Sequence, residues 1–531
     1  MKRLLLVLAS TAAFWSAACS SGGGTTVVPP PTGKFSASSL KGTYAFMTNG
    51  EVITSAGAEV NLSRVGSFIA DGQGGISGGV EDVNSAGTVN PAVPITGGSY
   101  TVNANGTGLL TLNITSAGTP SSITLGITLT STSGGLMVDE TSTAAQASTG
   151  SGNFLIQNVA VCSSPVTSVS GTYVFDFAGA DAGGNPASLV GEFAVSGGVI
   201  STGFTDANDN LVLSNGSIGG SFALDPLNPA SSTSCGRGVA EIAGQPFEYY
   251  VVDSTRVRFI SITNGAMLTG DAVIQANPPA SLSASFAFLV AGSDTNGFLT
   301  RLGRFTGNGT TLTNVVMDTN DGSIKFTPTG GAGSGSTITA ASITPDPVNP
   351  GRFTLTFKDS NLSVPFSFVL YLSSATSGVI QDTTQTGGFA IQVADGTIGA
   401  QTGSPFSSSS ITGTYAVNWT GTSQQVQGQD EEDLIGQATI SSSALTGTAD
   451  IFQMQALAPQ MGNVLSGNIT FGGDGSGGDG NRNTMVVTLT KGSATTVHFV
   501  VYFVNPQLVF FANNNNQGGS RSVAGILQLQ P

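Results

Sequence analysis

A chain of 531 residues is long enough for roughly three to five domains, each with its own core. Only 9% of its residues are charged, 74 are glycine, and 31 acidic against 16 basic side chains leave a net charge of −15. Affinity for phosphate backbones needs clustered Lys and Arg, so nucleic-acid binding is excluded; an apolar content of 39% in regular alternation argues against disorder.

At the amino end, Lys2 and Arg3 precede an apolar run, Leu4 to Trp15, too short to span a bilayer stably. Residues 1–18 therefore read as a cleavable signal peptide and stand outside the fold. Ser16-Ala17-Ala18-Cys19 resembles the lipobox of bacterial lipoproteins, which implies acylation of Cys19 and cleavage before it. Ser16 stands where that family usually has Leu, so ordinary secretory cleavage is the alternative. Ser20, in a place where Asp would resemble the inner-membrane retention signal, favours the outer membrane. Residues 19–38, rich in Gly, Ser, Thr and Pro, form a flexible linker whose reach is at most ~60 Å. The expected membrane contact is thus the lipid anchor.

Beyond this tether, internal repetition dominates the chain. Gly42-Thr43-Tyr44-Ala45-Phe46 recurs as Gly171-Thr172-Tyr173-Val174-Phe175, Ala284-Ser285-Phe286-Ala287-Phe288 and Gly413-Thr414-Tyr415-Ala416-Val417. A second marker follows each: Val65-Gly66-Ser67-Phe68, Val190-Gly191-Glu192-Phe193, Leu302-Gly303-Arg304-Phe305 and the weaker Ile435-Gly436-Gln437-Ala438. Next comes an acidic residue, Asp82, Asp206, Asp318 or Asp450. An apolar pair before glutamine closes each copy, at Gln157, Gln275, Gln392 and Gln528. These landmarks predict repeats over 39–160, 161–278, 279–396 and 397–531.

Within a copy, apolar and small polar residues alternate with period two, and Gly- and Asn-rich turns separate the runs. About eight strands per copy, joined by hairpins, predict an antiparallel meander closed into a small up-and-down barrel, four in tandem. Immunoglobulin-like sandwiches are the alternative. An integral outer-membrane barrel is disfavoured by the lipobox, the short repeated units and the ending Leu527-Gln528-Leu529-Gln530-Pro531, which lacks a final aromatic residue. The whole pattern resembles uncharacterised tandem-repeat lipoproteins of environmental bacteria, a resemblance that implies location and modular build but no activity.

Two cysteines remain after Cys19, and Cys162 with Cys235 is the candidate disulfide. Such a bridge contributes about 3 to 4 kcal/mol in the chain-entropy model; two unpaired thiols are the alternative. His498 is the single histidine, on an alternating strand, and is read as structural. Asp206 with Asn208, and Asp318 with Asn320, place oxygen ligands at the alternate spacing of calcium loops, but no distal Glu completes an EF-hand. Hairpin turns are the favoured reading and weak calcium sites the other. Glu81-Asp82 and Glu431-Glu432-Asp433 are read as solvated turn or edge charges, since strand neighbours point to opposite faces. Tyr249-Tyr250 and Trp419 are expected in a core or interface rather than stacked on a ligand.

The sequence therefore leads to the expectation of a non-catalytic lipoprotein of the outer membrane, without cofactor, presenting β modules for adhesion or envelope interaction. A cell-surface polymer or an envelope protein is the expected partner, and weak sites on linked modules would add avidity. The alternative is capture of a small ligand in barrel pockets, with hydrolysis behind both.

Overall fold

The computed structural model describes residues 34–531 except 55–56, 143–146, 211, 226–235, 264, 295–296, 323–324, 331–336, 385–391, 424–429, 473–481 and 515–520. Four antiparallel eight-stranded barrels follow one another, as the repeat pattern predicts. Barrel 1 runs Lys41–Ile53, Glu59–Asp71, Gly75–Ser85, Thr88–Val102, Thr107–Ser116, Thr119–Ser131, Gly134–Asp139 and Ala147–Ile156. Its first strand pairs with both the second and the eighth, Tyr44 lying opposite Phe68 on one side and Ile156 on the other. Closure leaves no free sheet edge.

Barrel 2 spans Gly171–Ala180 to Met267–Ile274, barrel 3 Ser285–Asp294 to Gln392–Ala400, and barrel 4 Gly413–Ser423 to Arg521–Leu529. In barrels 2 and 3 the fourth strand is broken in two, and second-to-third strand pairing still closes the ring of eight. The third repeat boundary, placed at 396, falls inside the last strand of barrel 3 and moves past Gln401.

The Gly-Thr-Tyr-x-Phe marker has a reason at each position. Gly42, Gly171 and Gly413 have φ of +127°, +120° and +132°, a region L side chains avoid. The tyrosine points inward, and its hydroxyl donates to the carbonyl of the turn between the sixth and seventh strands: Thr132 at 3.1 Å, Ser254 at 2.9 Å and Pro506 at 2.7 Å. Each thus ties the start of its opening strand to the neighbouring hairpin turn at the same end of the barrel. Phe46, Phe175 and Phe288 lie opposite Gly66, Gly191 and Gly303 of the second strand, where a Cβ would sit only 2.6–2.7 Å from the ring. The glycine of the second marker is therefore the seat of the phenylalanine of the first. In barrel 4 the smaller Val417 faces Gly436.

The intervening residue, Ala45, Val174, Ala287 or Ala416, faces out of its barrel yet is fully buried. A neighbouring barrel covers it. Apolar clusters join barrels 1 and 2 (Val65, Val80, Tyr250, Ile260), 2 and 3 (Val174, Val190, Val369, Tyr371), 3 and 4 (Ala287, Leu302, Val500, Tyr502), and 4 and 1 (Leu136, Val138, Ala416, Ile435). The contact order is cyclic, so the four barrels form a ring.

Candidate functional site: the joints and the cavity between barrels

All four acidic markers lie inside strands rather than at turns, and the first three share one arrangement of partners. Asp82 accepts two bonds from Arg237, 2.9 Å from Nε and 2.7 Å from Nη2, and a third of 2.5 Å from the Tyr250 hydroxyl. Asp206 accepts from Arg352, 2.7 Å from each nitrogen, and from Tyr371 at 2.5 Å. Asp318 accepts from Arg482 at 2.8 and 2.6 Å and from Tyr502 at 2.8 Å. In every case the aspartate belongs to one barrel and the Arg–Tyr pair to the next. Arg and Tyr are register partners on the fifth and sixth strands, which fixes the bidentate geometry.

Two residues on, the same strand face carries Asn84, Asn208 and Asn320, whose amides donate to carbonyls of the following barrel: Ser261 and Ala266, Asp382 and Gln392, and Asn513. The calcium candidates Asp206, Asn208, Asp318 and Asn320 are thus corrected to joint residues. Alternate spacing put them on one strand face, but that face meets a protein partner. Among the described residues, no group of three or more His, Cys, Asp or Glu side chains is placed to hold a metal ion. Glu81, Asp82, Glu432 and Asp433 are likewise buried rather than solvated; Arg64 pairs with Glu81 at 2.9 Å and Arg521 with Glu432 at 2.8 Å.

A glutamine completes each joint. The side-chain amides of Gln157, Gln275, Gln401 and Gln530 reach the carbonyls of Val251, Leu372, Phe503 and Leu129 at 2.6, 3.1, 2.8 and 2.6 Å. These acceptors occupy one position on the sixth strand of four barrels, and the last contact closes barrel 4 onto barrel 1. Gln401 and Gln530, not Gln392 and Gln528, are therefore the closing glutamines of copies three and four. Their backbone N–H groups bond Ser285 and Thr414 just as those of Gln157 and Gln275 bond Thr43 and Thr172.

Burial alone would lower the Arg237 guanidinium, but the bond to Asp82 and the surrounding acids raise it, so it stays charged. Burial also pushes Glu248, beside it at 3.2 Å, up to about 8, with the Asp82 charge adding and Arg237 opposing.

The barrel interiors are filled. Tyr173, Phe175, Phe177, Phe193 and Tyr249 pack within barrel 2, and Trp419 with Phe499 and Phe511 within barrel 4, where the void is only about 10 Å³. Tyr250 lies at a joint. Half-buried His498 sits opposite Val486 on paired strands. Barrels 1, 2 and 3 meet instead around a cavity of about 380 Å³, lined by Met47, Asp176, Arg256, Asp271 and Asp395 among others. Arg256 pairs with Asp271 at 3.1 Å. Burial, then the Asp395 charge and the hydrogen bond the two carboxyls share, raises Asp176 well above the usual carboxylate range.

Cys162 is buried in the barrel 2 core, and a Cβ on Gly236 would lie 2.8 Å from its own. Cys235, Cys19, the signal and the linker up to residue 33 lie outside the described residues. Among the described residues no helix is long and apolar enough to cross a membrane.

No protein-family model matches the chain, and no curated protein matches it. Among solved structures it is similar to a transferrin binding protein B variant from Haemophilus parasuis Hp5, at 11% identity over 79% of this chain and 86% of that one, with a TM-score of 0.21. It is also similar to the isotype 1 transferrin binding protein B of serogroup B Neisseria meningitidis, at 10% identity over 75% and 84%, with a TM-score of 0.17. At such values the likeness carries no argument about function.

Proposed function

We propose that the chain is a lipid-anchored protein of the outer membrane, held by Cys19, that presents four interlocked barrels as a non-catalytic platform for adhesion or envelope interaction. The filled barrel interiors carry this reading: with the void in barrel 4 at about 10 Å³, a partner is met on loops and outer faces. A cell-surface polymer or an envelope protein is the class of partner such a surface suits. In cells, Cys19→Ser should shift the protein from the outer-membrane fraction to the soluble one, and protease added to intact cells should digest the barrels. Retention in the membrane by the variant would refute the anchor, and protection from protease in intact cells would refute adhesion to other surfaces.

A second reading, small-ligand capture, is favoured by the 380 Å³ cavity among barrels 1, 2 and 3 rather than by any barrel mouth. Its paired carboxyls suit a cationic or hydrogen-bond-donating molecule. Native mass spectrometry of the purified protein should then show a bound mass that Asp176→Asn with Asp395→Asn removes; a bare mass at the outset counts against capture.

The closeness of Gly236 to Cys162 also supports the Cys162–Cys235 bridge as a proposal. Non-reducing peptide mapping should recover the linked peptides, whereas alkylation of both thiols without reduction would dismiss it.

A further inference from the structure

The fourth joint breaks the pattern of the other three. Where barrels 2, 3 and 4 place Arg237, Arg352 and Arg482 opposite Tyr250, Tyr371 and Tyr502, barrel 1 places Thr107 opposite Thr128. Asp450, the fourth marker, therefore meets no arginine clamp and accepts the Gly462 N–H of its own barrel. The Thr128 hydroxyl, buried at the same place, has no hydrogen-bond partner. This joint is also the one the polypeptide does not cross: chain links barrel 1 to 2, 2 to 3 and 3 to 4, but barrel 4 meets barrel 1 by side chains alone.

Acids gather where the cation is missing. Glu140 of barrel 1 is 2% exposed, neither of its carboxyl oxygens has a hydrogen-bond partner, and it lies over Gly126 close to Ile435 of barrel 4. Asp139 and Asp450 are the charges that act on it; Asp139 is held by Arg64 and Ser148, and Lys491 acts on Asp450. Further along the joint, Glu51 of barrel 1 faces Asp430 and Asp433 of barrel 4, with Glu59 beside it, and Glu431 lies near Asp433 and Glu51. Asp433 accepts from Thr149 at 2.7 Å and from Ser151 at 2.6 Å, both in barrel 1. Arg521 answers Glu432.

We propose that the contact between barrels 4 and 1 is the opening seam of the ring, closed while its carboxyls carry protons and parting as they ionise. Burial pushes Glu140 up to about 8, Glu51 up to about 7 and Asp433 up to about 6, with neighbouring acids adding to burial in the first two. Such carboxyls bind more protons in the closed joint than in the open one. The joint is thus at full strength near pH 4.5 and weakens up to about pH 8, by about tenfold per pH unit for each group that ionises in that window.

The test is energy transfer between dyes on click-reactive residues at Ser142 and Leu457, two exposed positions that meet across the seam through a Ser142 hydroxyl bond to the Leu457 carbonyl. A control pair at Ala86 and Ala182 flanks the Gly87–Gly265 contact between barrels 1 and 2. In the full mature chain, the seam pair should transfer efficiently at pH 5.5 and lose most transfer by pH 9, with the control unchanged. Glu140→Gln with Glu431→Gln should preserve transfer at pH 9. Constant transfer across the seam, an equal fall in both pairs, or a double variant that falls as the parent does would each overturn the proposal.

Discussion

Arg237→Ala is expected to destabilise the protein by about 3 to 5 kcal/mol, because removing one partner of a buried pair leaves the others as uncompensated charges. Arg237 is fully buried and answers Asp82, Asp225 and Glu248 together, so three carboxyl groups lose their cation at once. Arg352→Ala should cost less, since its side chain is 13% exposed and water can reach what remains. The pH dependence has a definite sign. Glu248 is raised by burial and lowered by Arg237, so the variant holds a carboxyl shifted still further up. A raised carboxyl destabilises the fold increasingly as pH climbs above the ordinary range, and the deficit of Arg237→Ala should be larger at pH 9 than at pH 5. Urea unfolding at the two pH values checks both parts; an equal or smaller deficit at pH 9 would refute the charge argument.

Phe175→Ala is the second large loss, about 3 to 5 kcal/mol. Its ring fills the space above Gly191 and stacks on Phe177 at 4.8 Å and near Phe193 at 5.8 Å between centroids. Glycine cannot fill the void from the opposite strand. The equivalent Val417→Ala in barrel 4 should cost far less, about 1 to 2 kcal/mol, because fewer atoms leave. Thermal unfolding of the two variants side by side measures the difference; equal losses would contradict the account in which the Phe175 ring fills the space above Gly191.

Much of the fold is legible in the sequence. The period-two alternation and the Tyr44, Tyr173, Phe286 and Tyr415 landmarks point to meanders, because most strand pairings join sequence neighbours through hairpins and only the closing pair is distant. The joints were harder to read. Asp82, Asp206 and Asp318 stood out as markers, yet Asp and Asn at alternate positions mean a turn, a cation loop or one strand face, and sequence spacing alone does not choose among them. Their partners lie a whole repeat away, on another barrel. One clue was present: in a chain with only 16 basic residues, Arg237, Arg352 and Arg482 recur at nearly the repeat spacing. The closing glutamines of copies three and four were misplaced because Ala-Ile-Gln and Ile-Leu-Gln imitate the marker in a chain of short apolar runs. The structural criterion, a backbone bond to the opening strand, selects Gln401 and Gln530.

The central claim is that the four barrels close into a ring through the contact of Gln530 with Leu129 rather than hanging as beads on a string. Small-angle X-ray scattering of the protein without its leash, at pH 5.5, tests it most directly. A closed ring of this size should give a radius of gyration near the compact value of about 23 Å. A value of roughly 30 Å or more, as an extended row of four compact domains requires, would contradict the ring.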